Sequence, residues 1–199
     1  MTDEEPKTRA TTHKERTRAR ILEEAARAMR VSGTEGIGVA ALMKRVGLTQ
    51  GGFYAHFASR DDLVAHAVER MFEDSRKMLA TCLAAPDPAD GLRALIDRYL
   101  SDAARRAPER TCPIPTLSGE AARMPAAARA RFTAGMGRIR QALAERLAAC
   151  GRAEPEELAS SALAEMVGAM ALSRVIEDDA QASAMLASSR ERLKARLGL

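Results

Sequence analysis

The chain has 199 residues, 46% hydrophobic but only 3% aromatic and without tryptophan, a balance that favours helices packed through aliphatic side chains over β-sandwiches. Its net charge of +4 is unevenly placed: residues 1–60 hold 11 Lys and Arg against 7 Asp and Glu, and residues 61–199 hold 20 of each. No apolar run approaches the roughly 18 residues of a membrane span, and the acidic start lacks the apolar segment of a secretory signal.

Residues 1–11 are polar and expected to be disordered. Thr12 and Glu15 fit a capping box. Ile21, Leu22, Ala25, Ala26 and Met29 then repeat on one helical face until Gly33, with Lys14, Arg16, Arg18, Arg20, Arg27 and Arg30 assigned to the opposite face. A second helix is predicted over 39–46 and a third over 50–56, separated by Gly47. Ser59 and Asp62 signal the cap of a long helix that ends before Pro86. Asp87-Pro88 starts the next, which runs to Pro108. The Cys112-Pro-Ile-Pro115 run is read as extended or turning. A short helix around 116–123, then helices starting at Pro125, at Pro155 and near Ala180, complete an all-α chain of about nine helices.

The segment 39–57 carries the most specific pattern. Two short helices broken at a glycine, with Leu42, Val46 and Leu48 as anchors, form a helix-turn-helix arrangement. Its second helix enters the major groove of double-stranded DNA with its N-terminal residues nearest the bases. Thr49 is placed to cap that helix and to offer its hydroxyl to a phosphate, and Gln50 suits a bidentate contact to adenine. Gly51 and Gly52 are poor helix formers, by about 1 kcal/mol each relative to alanine, which suggests close approach to a partner. Tyr54 and His56 reach phosphates or a base edge. Lys44, Arg60, and Arg18 or Arg20 are candidate phosphate contacts. Phe53 and Phe57 read as core. The excess basicity of residues 1–60 is the electrostatic footprint of such a head, although a solvated basic helix gives the same count.

Taken together, these residues resemble the TetR family of bacterial transcriptional regulators, also called TetR/AcrR. Arg20-Ile-Leu-Glu-Glu-Ala-Ala26 resembles the family's first-helix signature. Val46-Gly-Leu-Thr-Gln-Gly-Gly-Phe-Tyr-Ala-His-Phe57 resembles its turn and recognition helix, and Ser59-Arg-Asp-Asp-Leu63 the start of its fourth helix. Gly38 stands where the family has Ser or Thr, Leu42-Met43 where it has Ile-Ala, and Arg60 where lysine is usual. The likeness spans residues 17–71. It implies a head over 12–58, a helical ligand-binding and dimerisation domain over 59–199, and a homodimer on a near-palindromic operator.

In that second domain the last two helices are the expected dimer surface, through Leu158, Ala162, Met166, Ala169, Ser173, Leu186, Leu193 and Leu197. An adaptable pocket for a small-molecule inducer is expected from Met71, Met78, Met136, Met166 and Met170 with Tyr99 and Phe132. Cys112 has two readings: a thiolate activated by Arg105, Arg106 and Arg110 that senses electrophiles or oxidants, or a structural cysteine packed by the prolines.

Cys82, Cys112 and Cys150 are odd in number and far apart, which points to reduced thiols in a cytoplasmic protein. No cofactor and no metal site is expected. His13, His56 and His66 lack metal spacing, and no Glu-x-x-His pair, nucleophile elbow or Walker loop is present. The leading reading is a repressor. An activator or a non-inducible DNA-binding protein fits the same residues, and a helical enzyme without a recognisable motif is the remote alternative.

Overall fold

The computed structural model describes residues 12–199, so the polar tail at 1–11 lies outside the described residues. Short-range signals set most helix boundaries. The Thr12 hydroxyl accepts from the Glu15 N–H at 3.2 Å, and the Glu15 carboxylate accepts from the Thr12 N–H at 2.7 Å. That box opens α1 (His13–Ser32), which closes at Gly33, whose φ of +75° few other residues adopt. α2 (Val39–Arg45) starts at Gly38 without a side-chain cap.

Next comes a six-residue 3₁₀ helix, Gln50–Ala55, in place of the α-helix expected over 50–56. Two adjacent glycines in so short a run leave too little helix propensity for a full α-turn to persist, and the tighter i→i+3 bonds close instead. The Gly52 N–H, for example, donates to the Thr49 carbonyl at 3.1 Å.

Ser59 caps α3 (Arg60–Cys82) by accepting from the Asp62 N–H at 3.0 Å, and Asp87 caps α4 (Pro88–Tyr99) through the Ala89 N–H at 2.7 Å. The single helix expected from Asp87 to Pro108 is broken. Ser101 accepts from the Ala104 N–H at 3.1 Å and starts α5 (Asp102–Arg106), which a 3₁₀ turn, Pro108–Arg110, follows. The proline run expected to be extended enters α6 (Ile114–Leu117). Pro113 is its N-cap and Pro115 sits in its first turn, where a missing N–H loses no helical partner. A 3₁₀ turn, Ala121–Arg123, and three long helices complete the chain: α7 (Ala126–Ala149), α8 (Pro155–Ser173) and α9 (Asp179–Leu197). The fold is all-helical, with no strand among the described residues.

α1, α2 and the 3₁₀ segment form a head around Ile21, Ala25, Leu42, Met43, Phe53 and Phe57, all buried. Phe53 and Phe57 stack with centroids 5.5 Å apart, the core role read for them from sequence. α3 packs on both α1 and α7, so one helix joins head to body. α8 covers α7, and α9 covers α8 and α4.

The α3–α7 contact depends on a glycine. Phe72 meets Phe132 edge-on at 5.5 Å, and a Cβ at Gly135 would lie 2.3 Å from the Phe72 ring. Gly135→Ala is therefore expected to destabilise the fold by about 1–3 kcal/mol, the usual penalty of overpacking. Urea unfolding at fixed protein concentration checks this, and a paired Phe72→Leu change should recover part of the loss.

Candidate functional sites

The head presents one exposed strip. Lys44, Thr49, Gln50 and Gly51 are exposed, and Tyr54 is 71% exposed, far above what a Tyr needs merely to wet its hydroxyl. Among the described residues, Lys44, Gln50 and Tyr54 have no side-chain hydrogen-bond or ion-pair partner, which leaves their polar ends open to a partner. The glycine pair is not required by the fold. Neither Gly51 nor Gly52 has a positive φ, a Cβ at Gly51 would meet nothing, and one at Gly52 would meet only ordinary contacts at 3.8 Å. What the pair provides is a flat surface between Gln50 and Tyr54. Thr49 does not make the predicted cap hydrogen bond. Its carbonyl takes the Gly52 N–H instead, which leaves the hydroxyl without an N–H to serve.

Three arginines proposed as phosphate contacts brace the head from within. Arg20 Nη2 donates to the Val46 carbonyl at 2.8 Å, closing the end of α2. Arg18 Nε donates to the His56 carbonyl at 3.3 Å, and its guanidinium lies 4.7 Å from the centre of the Phe57 ring. Arg60 binds Glu35 at 2.8 Å and the Thr34 carbonyl at 2.5 Å. The imidazole of His56 is half-buried, with Nδ1 unpartnered.

Arg30 departs most from its sequence reading. Assigned to the solvent face of α1, it is 2% exposed, because it follows buried Ala26 by one helical turn. Its Nη2 donates to Asp74 at 2.9 Å and to the Met71 carbonyl at 3.1 Å, and its Nη1 donates to the Glu109 carbonyl at 3.3 Å. Asp74 is also held by Arg70, which reaches back to Glu23 of α1 at 2.9 Å. Burial pushes the Asp74 carboxyl up, but hydrogen bonds from Arg70 and Arg30 outweigh it and hold the group below the usual carboxylate range. One polar network thus joins α1 to α3 and to the 108–110 turn. The sequence signal for Asp74 is its place one turn after buried Met71 on α3.

This network borders a cavity of about 920 Å³ that α1 closes with Glu23, Arg27 and Arg30. Of the expected pocket residues, Met78, Tyr99, Cys112 and Met170 line it. Met71, Phe132 and Met166 do not: they are buried elsewhere in the core. Met136 does not either, being 38% exposed on α7. Regular apolar spacing does not separate a cavity wall from ordinary packing, which is why these four are not among the residues that line this cavity.

The surroundings of Cys112 favour the structural reading of this cysteine over the reactive thiolate. Burial pushes its thiol up, against smaller lowering effects that include the Arg30 charge. The three arginines expected to activate it are occupied elsewhere. Arg105 and Arg106 pair with Asp179 at 2.6 and 3.1 Å, and Arg110 lies against Glu109 at 3.6 Å. Burial likewise pushes the neighbouring Tyr99 hydroxyl well up, so both groups are neutral.

The expected dimer residues are mostly core. Ala162, Met166, Ala169, Ser173, Leu186, Leu193 and Leu197 are buried within the single chain, and Leu158 packs against that core. Small side chains here let α7, α8 and α9 approach one another. The outer face of α8 is a different stripe, Ala164, Gly168 and Leu172 at 56% exposure, with Val175 at 78% just past the end of the helix. Outward from α9, Ala184, Ser188 and Ala195 are exposed.

Among the described residues no group of His, Cys, Asp and Glu could hold a metal ion, and no helix is long and apolar enough to cross a membrane. Two family models match the chain. Residues 21–67 match the bacterial regulatory proteins of the tetR family, and residues 88–186 match the C-terminal domain of LmrA/YxaF-like transcriptional regulators. No curated protein sequence matches. Among solved structures, a TetR transcriptional regulator from Chloroflexus aurantiacus superposes with a TM-score of 0.82 at 25% identity, over 93% of this chain and 96% of that one. A TetR-family regulator from Agrobacterium tumefaciens gives 0.81 at 21%, over 92% and 98%. The reduced form of E. coli NemR gives 0.80 at 19%, over 90% and 96%. Head geometry, matched domains and shared fold agree: the chain belongs to the TetR family of bacterial transcriptional regulators.

Proposed function

We propose that this protein is a homodimeric transcriptional repressor whose grip on a near-palindromic operator is released by a small molecule bound in the cavity beneath the head. The observation that carries this reading is the position of Arg30. It is a residue of the head's first helix, it borders the cavity, and it is bonded to the body. A ligand there acts on the helix that orients the DNA-reading strip, and so has different contacts in the two head positions, which a shift of equilibrium requires.

On DNA, Gln50 reads a base edge, while Lys44, Tyr54 and the Thr49 hydroxyl hold phosphates. Gly51 and Gly52 let the backbone come close. Arg18, Arg20 and Arg60 contribute mainly by keeping the strip rigid. The dimer forms through the outer stripe of α8 with the exposed face of α9, in a four-helix arrangement in which Gly168 permits close approach. A buried, neutral Cys112 favours reversible binding over thiol modification as the signal.

Three measurements test these points. In gel shifts on DNA flanking the coding region, Gly51→Leu should abolish retardation while leaving thermal stability unchanged, because its side chain meets nothing within the chain. Gln50→Ala should lose about 1–3 kcal/mol and blur sequence preference. Failure of the wild type to retard any upstream fragment at low salt would sink the repressor reading. Gly168→Arg should convert the dimer to a monomer in analytical ultracentrifugation, whereas dimers of unchanged affinity would exclude this face. In thiol titration of the native protein, only half-exposed Cys150 should react rapidly. Cys112→Ser should then leave the fast phase intact and remove one thiol after unfolding.

A further inference from the structure

The floor of the cavity is built from donors that have no oxygen or nitrogen acceptor. Tyr99 is 7% exposed, and its hydroxyl faces the Cys112 thiol, a weak acceptor, with no oxygen or nitrogen partner among the described residues. Arg30 satisfies its two Nη atoms on Asp74 and two carbonyls, yet its buried Nε has no partner. Both groups flank the Cys112 thiol. Arg174, close enough to Tyr99 for its charge to act there, donates to Thr111 at 2.9 Å and to Thr116 and the Ala104 carbonyl at 3.3 Å. It has no carboxylate partner among the described residues, and its Nε is also unpartnered. A buried donor left unmade is costly, and two on residues that line one space, with a third on Arg174 behind them, point to something that supplies acceptors.

The charges point the same way. Five lining side chains are cationic and three are carboxylates. Each carboxylate already faces an arginine: Glu23 faces Arg70, Asp74 faces Arg30, and Glu109 faces Arg110. Two of the cations, Lys77 and Arg98, have no ion pair among the described residues. The walls between them include Met78, Met170 and Pro115. The space therefore lacks negative charge and acceptors but not apolar surface.

We infer that the cavity takes a small organic carboxylate, its acid group accepting from the Tyr99 hydroxyl and Arg30 Nε and its apolar part lying against Met78 and Met170. A neutral ligand leaves Lys77 and Arg98 without a counter-ion and Arg30 Nε without an acceptor. A carboxylate on Nε competes with Asp74 for the Arg30 guanidinium, and so loosens the bond that ties α1 to α3. This last step rests on reading the cavity as the effector site; the ligand class does not.

The test uses the full chain with benzoate, 4-phenylbutyrate and octanoate, each beside its primary amide. Thermal unfolding without DNA comes first, and gel shift second. At least one acid should raise the Tm with concentration while its amide does not, and Tyr99→Phe should weaken that acid about tenfold. Amides that stabilise as well as the acids, no stabilisation by any acid, or an acid indifferent to Tyr99→Phe would each overturn the assignment. The two readings fail separately. An acid that binds through Tyr99 yet leaves the DNA complex intact removes the effector role and keeps the ligand class. An amide that releases DNA does the reverse.

Discussion

A guanidinium that is 2% exposed at the junction of two packed units has to be matched from both sides. Arg30 is matched by the Asp74 carboxylate and the Met71 carbonyl of α3, and by the Glu109 carbonyl from the 108–110 turn. Removing one partner of such a buried pair typically costs about 3–5 kcal/mol, because the remaining charge stays desolvated. That penalty, more than any net attraction, fixes the end of α1 against the body. It also sets a precise position, since a fork of hydrogen bonds tolerates less sliding than apolar contact does.

Everything outside the junction is arranged to transmit that position to a surface. Within the head, Arg20 on the Val46 carbonyl, Arg18 on the His56 carbonyl and Arg60 on the 34–35 turn connect elements that α1 alone does not reach. With Phe53 and Phe57 stacked beneath, the 3₁₀ segment has little freedom of its own. Lys44, Gln50 and Tyr54 therefore move with α1 as a body. A 3₁₀ turn of glycines would be a weak structure in isolation, and here it is held by its neighbours on three sides.

Local rules made much of this legible. Thr12 with Glu15, Ser59 with Asp62 and Asp87 before Pro88 each cap a helix as their residue types predict, because a cap depends on three or four adjacent residues. The glycine break at 47 and the core phenylalanines are local in the same sense. What was hidden depends on partners far away in sequence. Arg30 reads as a solvent residue until Asp74 and Glu109, 44 and 79 positions on, are brought to it. Ala162, Ala169 and Leu193 look like knobs for a second chain until α7 and α4 cover them. Cys112 reads as activated by nearby arginines until Arg105 and Arg106 turn out to hold Asp179, and Arg110 to hold Glu109. Sequence proximity placed the charges and the thiol together, and burial then decided their chemistry.

The same junction bears on how strongly the proposed effector can act. A ligand shifts an equilibrium only by the difference between its affinities for two head positions, and that difference is commonly about 1–3 kcal/mol, or roughly 5- to 150-fold in operator affinity. Filling apolar space beneath the head contributes to both positions nearly equally and shifts little. Drawing Arg30 away from Asp74 is different, since in the proposed mechanism that bond is kept in one position and given up in the other. Asp74 is not stranded by the exchange, because Arg70 continues to hold it. The second arginine makes the junction able to give up the first without leaving the half-buried carboxylate unpaired. By linkage the converse holds: a head locked on DNA with Arg30 bound to Asp74 weakens the ligand by the same factor.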